Sequence, residues 1–208
     1  MFITLEGPEG SGKSTQALML AQFLSDNGFS VVTTREPGGT SIGHQIRGVL
    51  HDVANEEMES ETEFLLYSAS RAQLVREVIR PALLESKVVL CDRYADSSIA
   101  YQGYGRGLDL ETLLAVTEFA TGGLVPDLTL LLDIDVEQGL SRRIDGDEEM
   151  NRLDLQEIAF HQRVREGYHQ LAAAGPERWV LVDAGRRPEE IQRDLRRIVL
   201  ERLGESVG

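Results

Sequence analysis

Gly7-Pro-Glu-Gly-Ser-Gly-Lys-Ser14 spaces its glycines, lysine and hydroxyl in the pattern G-x-x-x-x-G-K-[ST]. Glycines there let the backbone wrap a phosphate with successive N–H groups turned inward at a helix N-terminus. The lysine of such a loop reaches the β- and γ-phosphates, and the hydroxyl joins a Mg²⁺ shell. The pattern assigns a nucleoside triphosphate to Gly7, Pro8, Glu9, Gly10, Ser11, Gly12, Lys13, Ser14 and Thr15, with Lys13 catalytic and Ser14 toward the metal. A guanine-reading Asn-Lys-x-Asp is missing, since none of Asn27, Asn55 and Asn151 is followed by lysine.

A second phosphate-binding set accompanies the loop. Cys91-Asp-Arg-Tyr94 closes an apolar run, and ligand groups gather at the carboxyl ends of parallel strands. Asp92 suits the ordering of a Mg²⁺ water or a hydrogen bond from an acceptor phosphate. Arg93 suits a phosphate clamp through its paired N–H donors. Thr34-Arg-Glu-Pro-Gly-Gly-Thr40 ends the preceding strand in the matching place. Two phosphate sets in a small chain point to phosphoryl transfer onto a small acceptor. A conformational switch that binds the triphosphate without transferring it would leave the second set without a purpose.

These groups need a scaffold, and the pattern of the chain supplies one. Strands are expected at Phe2–Glu6, Val31–Thr34, Val88–Cys91, Leu128–Leu132 and Trp179–Val182, all short apolar runs. Helices are expected at Lys13–Asp26, Thr40–His51, Leu110–Ala120, Val136–Arg143, Asp154–Ala174 and Pro188–Leu203, with a longer one over Glu61–Glu85 interrupted near Pro81. Alternation of apolar strands with helices predicts an α/β fold: a five-stranded parallel sheet with helices on both faces. Ile144–Met150 is acidic, poor in apolar residues and flanked by arginines, which reads either as a solvated loop or, more sharply, as a short mobile lid of about residues 142–153 on a single domain spanning 1–208.

Composition sets the outer limits. Twenty-one basic against 35 acidic residues give a net charge of −14, which argues against a nucleic-acid-coating surface. Any phosphate site must therefore gather its positive charge locally. The single cysteine, Cys91, excludes an internal disulfide and a Cys-built zinc site, and fits a reducing cytoplasmic compartment. The start of the chain lacks a basic, signal-like segment, and no apolar run approaches the roughly 20 residues that cross a bilayer, so no membrane association is expected.

Taken in order, the phosphate loop, Arg35-Glu-Pro-Gly-Gly-Thr40, Ser70-Arg71, Asp92-Arg93-Tyr94 and Ser97-Ser-Ile-Ala-Tyr-Gln-Gly103 resemble the bacterial thymidylate kinases, from about residue 2 to 203. The resemblance implies a P-loop NTPase fold, transfer of the γ-phosphoryl of ATP to dTMP with Mg²⁺, giving dTDP and ADP for dTTP synthesis, and a homodimer. It implies that Arg71 hydrogen-bonds the thymine, that Tyr67 one turn earlier stacks on it, and that Ser98 and Gln102 contact the base. Tyr101 matches a ring lying against the deoxyribose, where a 2′-hydroxyl would clash. Arg47 and Arg93 match a clamp on the dTMP phosphate, with Glu36 beside the sugar–phosphate end.

By resemblance Glu9 stands at a loop position that is acidic in many relatives and faces the acceptor and metal, which puts it among the catalytic residues. It cannot serve as the arginine that some relatives carry in this loop, so that charge comes from the lid. Arg142, Arg143 and Arg152 are the candidates, with Arg143 preferred and Arg152 second. Asp92 is the second residue expected toward the metal. Arg186, in Val182-Asp-Ala-Gly-Arg186, matches an arginine that covers the adenine. A kinase of another small acceptor is the alternative within the same chemistry.

Overall fold

The computed structural model describes residues 1–146 and 150–204. Its centre is a five-stranded parallel sheet of order β2-β3-β1-β4-β5. The strands are β1 (Phe2–Glu6), β2 (Val31–Arg35), β3 (Val88–Asp92), β4 (Leu128–Asp133) and β5 (Trp179–Asp183). The three inner strands are buried almost throughout, as strands covered on both faces must be, whereas the outer β2 and β5 are partly exposed. The order reverses around β1, where β3 and β4 pair on opposite sides, and the crevice of an open parallel sheet lies at such a switch point.

Around it run α1 (Lys13–Asp26), α2 (Ser41–His51), α3 (Ser60–Leu74), α4 (Arg80–Leu84), α5 (Ala95–Ser98), α6 (Leu110–Thr121), α7 (Val136–Ile144), α8 (Ile158–Ala174) and α9 (Pro188–Leu203). Ile3, Leu5, Leu20, Leu24, Leu130 and Leu195 join one face of the sheet to α1 and α9. Phe2, Leu74, Ile79, Val89 and Tyr94 fill the other face beneath α3 and α4. Thr40 starts α2 by accepting from Gly43 N at 2.9 Å, and Gly122 ends α6 in the left-handed conformation.

Three helical expectations change. No break falls at Pro81: α3 runs into a π-helical turn, Val75–Ile79, and Pro81 lies in the first turn of α4, where its missing N–H is tolerated. The predicted Asp154–Ala174 helix starts only at Ile158, because Asp154 Oδ2 accepts from Asn151 N and Nδ2 and from Arg143. Ala95–Gly105, given no helix from the sequence, is helical, with α5 continuing into a π-helical turn over Ile99–Gly105. Of the acidic segment Ile144–Met150, residues 147–149 lie outside the described residues.

Candidate active site

The loop between β1 and α1 closes tightly because its glycines permit it. Gly12 has φ 83°, and a Cβ on Gly10 would run into the backbone carbonyl of Gly139 in α7. Lys13 Nζ folds back along the loop, donating to Gly7 O at 3.1 Å, Pro8 O at 2.7 Å and Ser11 Oγ at 3.1 Å. Burial, assisted by Arg93, pulls the Lys13 ammonium down to about 8 against the opposing charges of Glu9, Asp92 and Glu6.

The end of β3 meets this loop. Ser14 Oγ donates to Asp92 Oδ2 at 2.5 Å. Arg93 follows with φ 66°, a conformation that non-glycine residues avoid and that clusters at functional sites. Its guanidinium donates to Gly7 O at 3.1 Å, Tyr168 OH at 3.2 Å and Glu9 Oε1 at 2.9 Å, and lies 4.9 Å from the Tyr101 ring centroid. Tyr101 OH donates to the same Glu9 oxygen at 2.8 Å. Burial alone would raise the Glu9 carboxyl, but Arg93, Lys13 and the Tyr101 hydrogen bond bring it down to about 2. Glu9 is therefore a fixed anion at neutral pH.

A cleft of about 660 Å³ opens beside these groups. Glu9, Gly10, Gly12, Lys13, Ser14 and Thr15 line one end, whereas Gly7, Pro8 and Ser11 wrap Lys13 behind them. Asp92, Arg93, Glu36, Arg47, Tyr67, Ser98, Tyr101 and Gln102 line the rest. The structure thus brings most of the residues expected for two substrates into one cavity, while Gly7, Pro8, Ser11, Arg71 and Arg186 do not line it. Arg47 Nη1 donates to Pro37 O at 3.1 Å at the cleft wall, and the Glu36–Pro37 peptide is cis.

Arg71 is fully buried behind this wall. It donates to Glu36 Oε2 at 2.8 Å, Tyr94 O at 3.1 Å and Ser98 Oγ at 2.9 Å. Arg71 Nη1 and Glu36 Oε1 are buried with no hydrogen-bond partner among the described residues. Such groups cost free energy unless something else satisfies them, and this unpartnered donor and acceptor stand behind the cleft wall that Glu36 and Ser98 form.

The candidate arginines of the lid separate. Arg142 and Arg143 line the cleft, Arg142 donating to Ala184 O at 2.8 Å and Gly185 O at 3.1 Å, and Arg143 pairing with Asp154 at 3.0 Å. Arg152 instead is buried against Glu63 and Leu50 O. Arg186 lines a different groove, between β5 and α9, paired with Asp194 at 2.7 Å.

The thymidylate kinase family model matches residues 5–195. A thymidylate kinase of Deinococcus radiodurans is 52% identical over 202 residues, covering 97% of each chain. That of Roseiflexus sp. is 51% identical over 210 residues, 96% of this chain and 93% of the relative. The chain belongs to the thymidylate kinase family. A crystal structure of thymidylate kinase from Ehrlichia chaffeensis superposes with a TM-score of 0.80 at 31% identity, covering 96% of this chain and 98% of that one. The activity is that of a nucleoside monophosphate kinase, a transferase, on the P-loop NTPase fold.

Sequence reasoning about this thymidylate kinase fold passed over four residues of the site. Glu6 sits under the loop, accepting from Tyr94 N at 2.8 Å, Ser97 Oγ at 2.6 Å and Tyr168 OH at 2.8 Å. A carboxylate inside a strand that is otherwise largely apolar was its signal. Glu63 stands one helical turn before Tyr67 and two before Arg71, so the same i, i+4 spacing pointed to it. His51 lines the cleft, and burial with neighbouring Arg47 pushes its imidazole down to about 4, leaving it neutral. Tyr168 had no local signal.

Proposed function

We propose that the protein transfers the γ-phosphoryl of ATP to dTMP, giving dTDP and ADP. One observation carries the reading: Arg93 reaches the phosphate loop at Gly7 O and the cleft wall at Tyr101. An acceptor phosphate held by Arg93 and Arg47 therefore lies beside the ATP phosphates held by Lys13 and the loop. The resemblance to thymidylate kinases adds thymine against Tyr67 and Ser98, with Arg71 Nη1 supplying a hydrogen bond to O4. Glu36 lies beside the sugar–phosphate end, and Tyr101 occupies the space a ribose 2′-hydroxyl would need.

An oxygen of the dTMP phosphate attacks the γ-phosphorus, and the bond to the β–γ bridging oxygen breaks, leaving ADP. That phosphate is already an anion, so the site needs position and charge more than a base. Lys13 and Arg93 neutralise charge on the phosphates. Ser14 and Asp92 present adjacent hard oxygens that fit Mg²⁺, an ion that keeps water and phosphate oxygens in its shell. Bound there, Mg²⁺ would screen the β- and γ-phosphates. Among the described residues no group of three or more His, Cys, Asp or Glu side chains could hold a metal without such help.

In this reading the described residues 142–146 and 150–153 belong to the lid that excludes water. Arg143 leaves Asp154 to meet the transferred phosphoryl, and Arg142 stays with the turn after β5. Arg186, next to that turn, covers the adenine in this reading only by leaving Asp194 and the separate groove between β5 and α9. The exposed Leu65 of α3 and Leu114 and Phe119 of α6 form the face through which two copies pair. No described helix is long and apolar enough to cross a membrane, and the lone buried thiol suits the cytoplasm.

The test is ADP release from ATP and Mg²⁺ against a panel of nucleoside monophosphates, with products separated by chromatography. A dTDP peak with dTMP as the best acceptor is expected. Preference for another monophosphate would reassign the acceptor, and no transfer to any would overturn the kinase reading.

A further inference from the structure

Glu63 is fully buried, and the phosphate chemistry makes no use of it. Its two oxygens face different partners. Oε1 accepts from Gln102 Nε2 at 2.7 Å and from Arg106 Nε at 3.4 Å. Oε2 accepts from Arg106 Nη2 at 3.1 Å and from Arg152 Nη2. Burial pushes this carboxyl up, but hydrogen bonds from Arg106, Gln102 and Arg152, with the Arg106 charge, hold it below its ordinary range. An ionised carboxylate only accepts hydrogen bonds, so Gln102 has to turn its amide nitrogen toward it. Gln102 lines the cleft, and its Oε1 makes no hydrogen bond among the described residues.

We infer that Glu63 is a positioning residue that sets base specificity: by holding the Gln102 amide nitrogen, it leaves Gln102 Oε1 as the acceptor offered to the base, selecting a pyrimidine that carries N3–H. This inference rests on the proposed reading of the cleft as a pyrimidine nucleotide site. Thymine and uracil carry N3–H beside a carbonyl at C4, whereas cytosine has a bare N3 beside an exocyclic amine. An acceptor from Gln102 and a donor from Arg71 Nη1 match the first pair and oppose the second.

Glu63→Gln reverses the logic with almost no change of shape. The two arginines claim the remaining carbonyl oxygen on their side, which places the new amide nitrogen next to Gln102. Gln102 then turns its own oxygen to that nitrogen and its Nε2 into the cleft. A donor there opposes N3–H and accommodates cytosine N3. Arg71 still opposes the cytosine amine, so the preference narrows without reversing.

The experiment measures kcat/KM for dTMP, dUMP and dCMP with the wild type, E63Q, Q102M and the double variant. In E63Q the dTMP-to-dCMP ratio falls about tenfold, while the dTMP-to-dUMP ratio and the KM for ATP stay within about twofold. Q102M loses the same discrimination, and adding E63Q to it changes the ratio no further, because both act through one amide. Equal losses for all three acceptors in E63Q, or additive effects in the double variant, overturn the inference. Should E63Q not fold, E63D keeps a charge for the arginines and withdraws it from Gln102. A narrowed ratio then supports the inference, and an unchanged ratio overturns it. Failure of the wild type to use dTMP would instead strike the proposed function, a result read on the wild type alone.

Discussion

Arg93 and Glu9 are paired at 2.9 Å where the end of β3 meets the phosphate loop. The pair joins the two halves of the cleft and holds both charges ionised in a buried setting. A backbone at φ 66° costs about 1 kcal/mol, so the contacts of this guanidinium have to over-determine it. These contacts within the protein hold the guanidinium in place, and groups fixed in this way let electrostatic catalysis proceed with little reorganisation.

Replacing Arg93 with lysine keeps the charge and loses the fork. A single ammonium cannot serve Gly7 O, Glu9 and the Tyr101 ring together. We expect kcat/KM for dTMP to fall roughly 100-fold, with a much smaller change in the KM for ATP. Steady-state kinetics with each substrate varied in turn would show it. Wild-type kcat/KM in R93K removes Arg93 from the acceptor site.

Lys13 has to be charged to hold phosphate, and its pKa lies at about 8. As pH rises through that value the free enzyme loses the charge, so kcat/KM for ATP falls about tenfold per unit above it. A profile flat up to the ordinary lysine range would contradict the effect of burial. Lys13→Ala should lower turnover by roughly 1,000-fold while the circular dichroism spectrum is unchanged.

Tyr101 packs edge-on against Phe160 and Tyr168, with ring centroids 6.1 and 6.2 Å away, so its ring cannot yield to a larger sugar. Tyr101→Ala should raise the use of ribo-TMP relative to dTMP about tenfold, with roughly 3 kcal/mol lost in stability. An unchanged ribo-to-deoxy ratio removes Tyr101 from sugar selection.

Glu6 couples stability to pH. Burial and the nearby Asp96 charge push its carboxyl from 4.5 up to about 7, against Ser97, Arg93 and Tyr168. Between those values the folded protein keeps a proton that the unfolded chain releases, so stability falls as pH rises through the window. Glu6→Gln should flatten that decline, by something on the order of 2 kcal/mol in denaturant melts at the two ends. Identical slopes for variant and wild type would falsify the assignment.

Phe119 is 82% exposed on α6, apolar area that the pairing of two copies would cover. With Leu65 and Leu114 it marks the proposed pairing face. Phe119→Glu should shift the protein from dimer toward monomer in sedimentation. A wild type that is already monomeric would remove the face from assembly.

Much of this was legible because it is local. The phosphate loop is eight consecutive residues, Gly7–Ser14, whose glycines and lysine declare their purpose by spacing. Each inner strand is covered on both faces and so reads as a largely apolar run. The helix start at Pro188 and the helix end at Gly122 carry their own capping chemistry. The residues that resemble thymidylate kinases led directly to the cleft lining.

What the sequence by itself determined, then, is the order of elements, the triphosphate loop and most residues of the cleft. The tertiary structure alone decided how those side chains are shared out. Ala95–Gly105 escaped notice because a π-helical turn breaks the 3.6-residue period by which helices are recognised. Arg142, Arg143 and Arg152 look alike in the chain, yet Arg152 is drawn into a buried cluster with Glu63 while the other two face the cleft. Glu63 meets Gln102, Arg106 and Arg152 across 39, 43 and 89 residues, separations over which no local pattern extends. A buried carboxylate takes whichever donors the packing delivers, and packing is settled by the whole core at once.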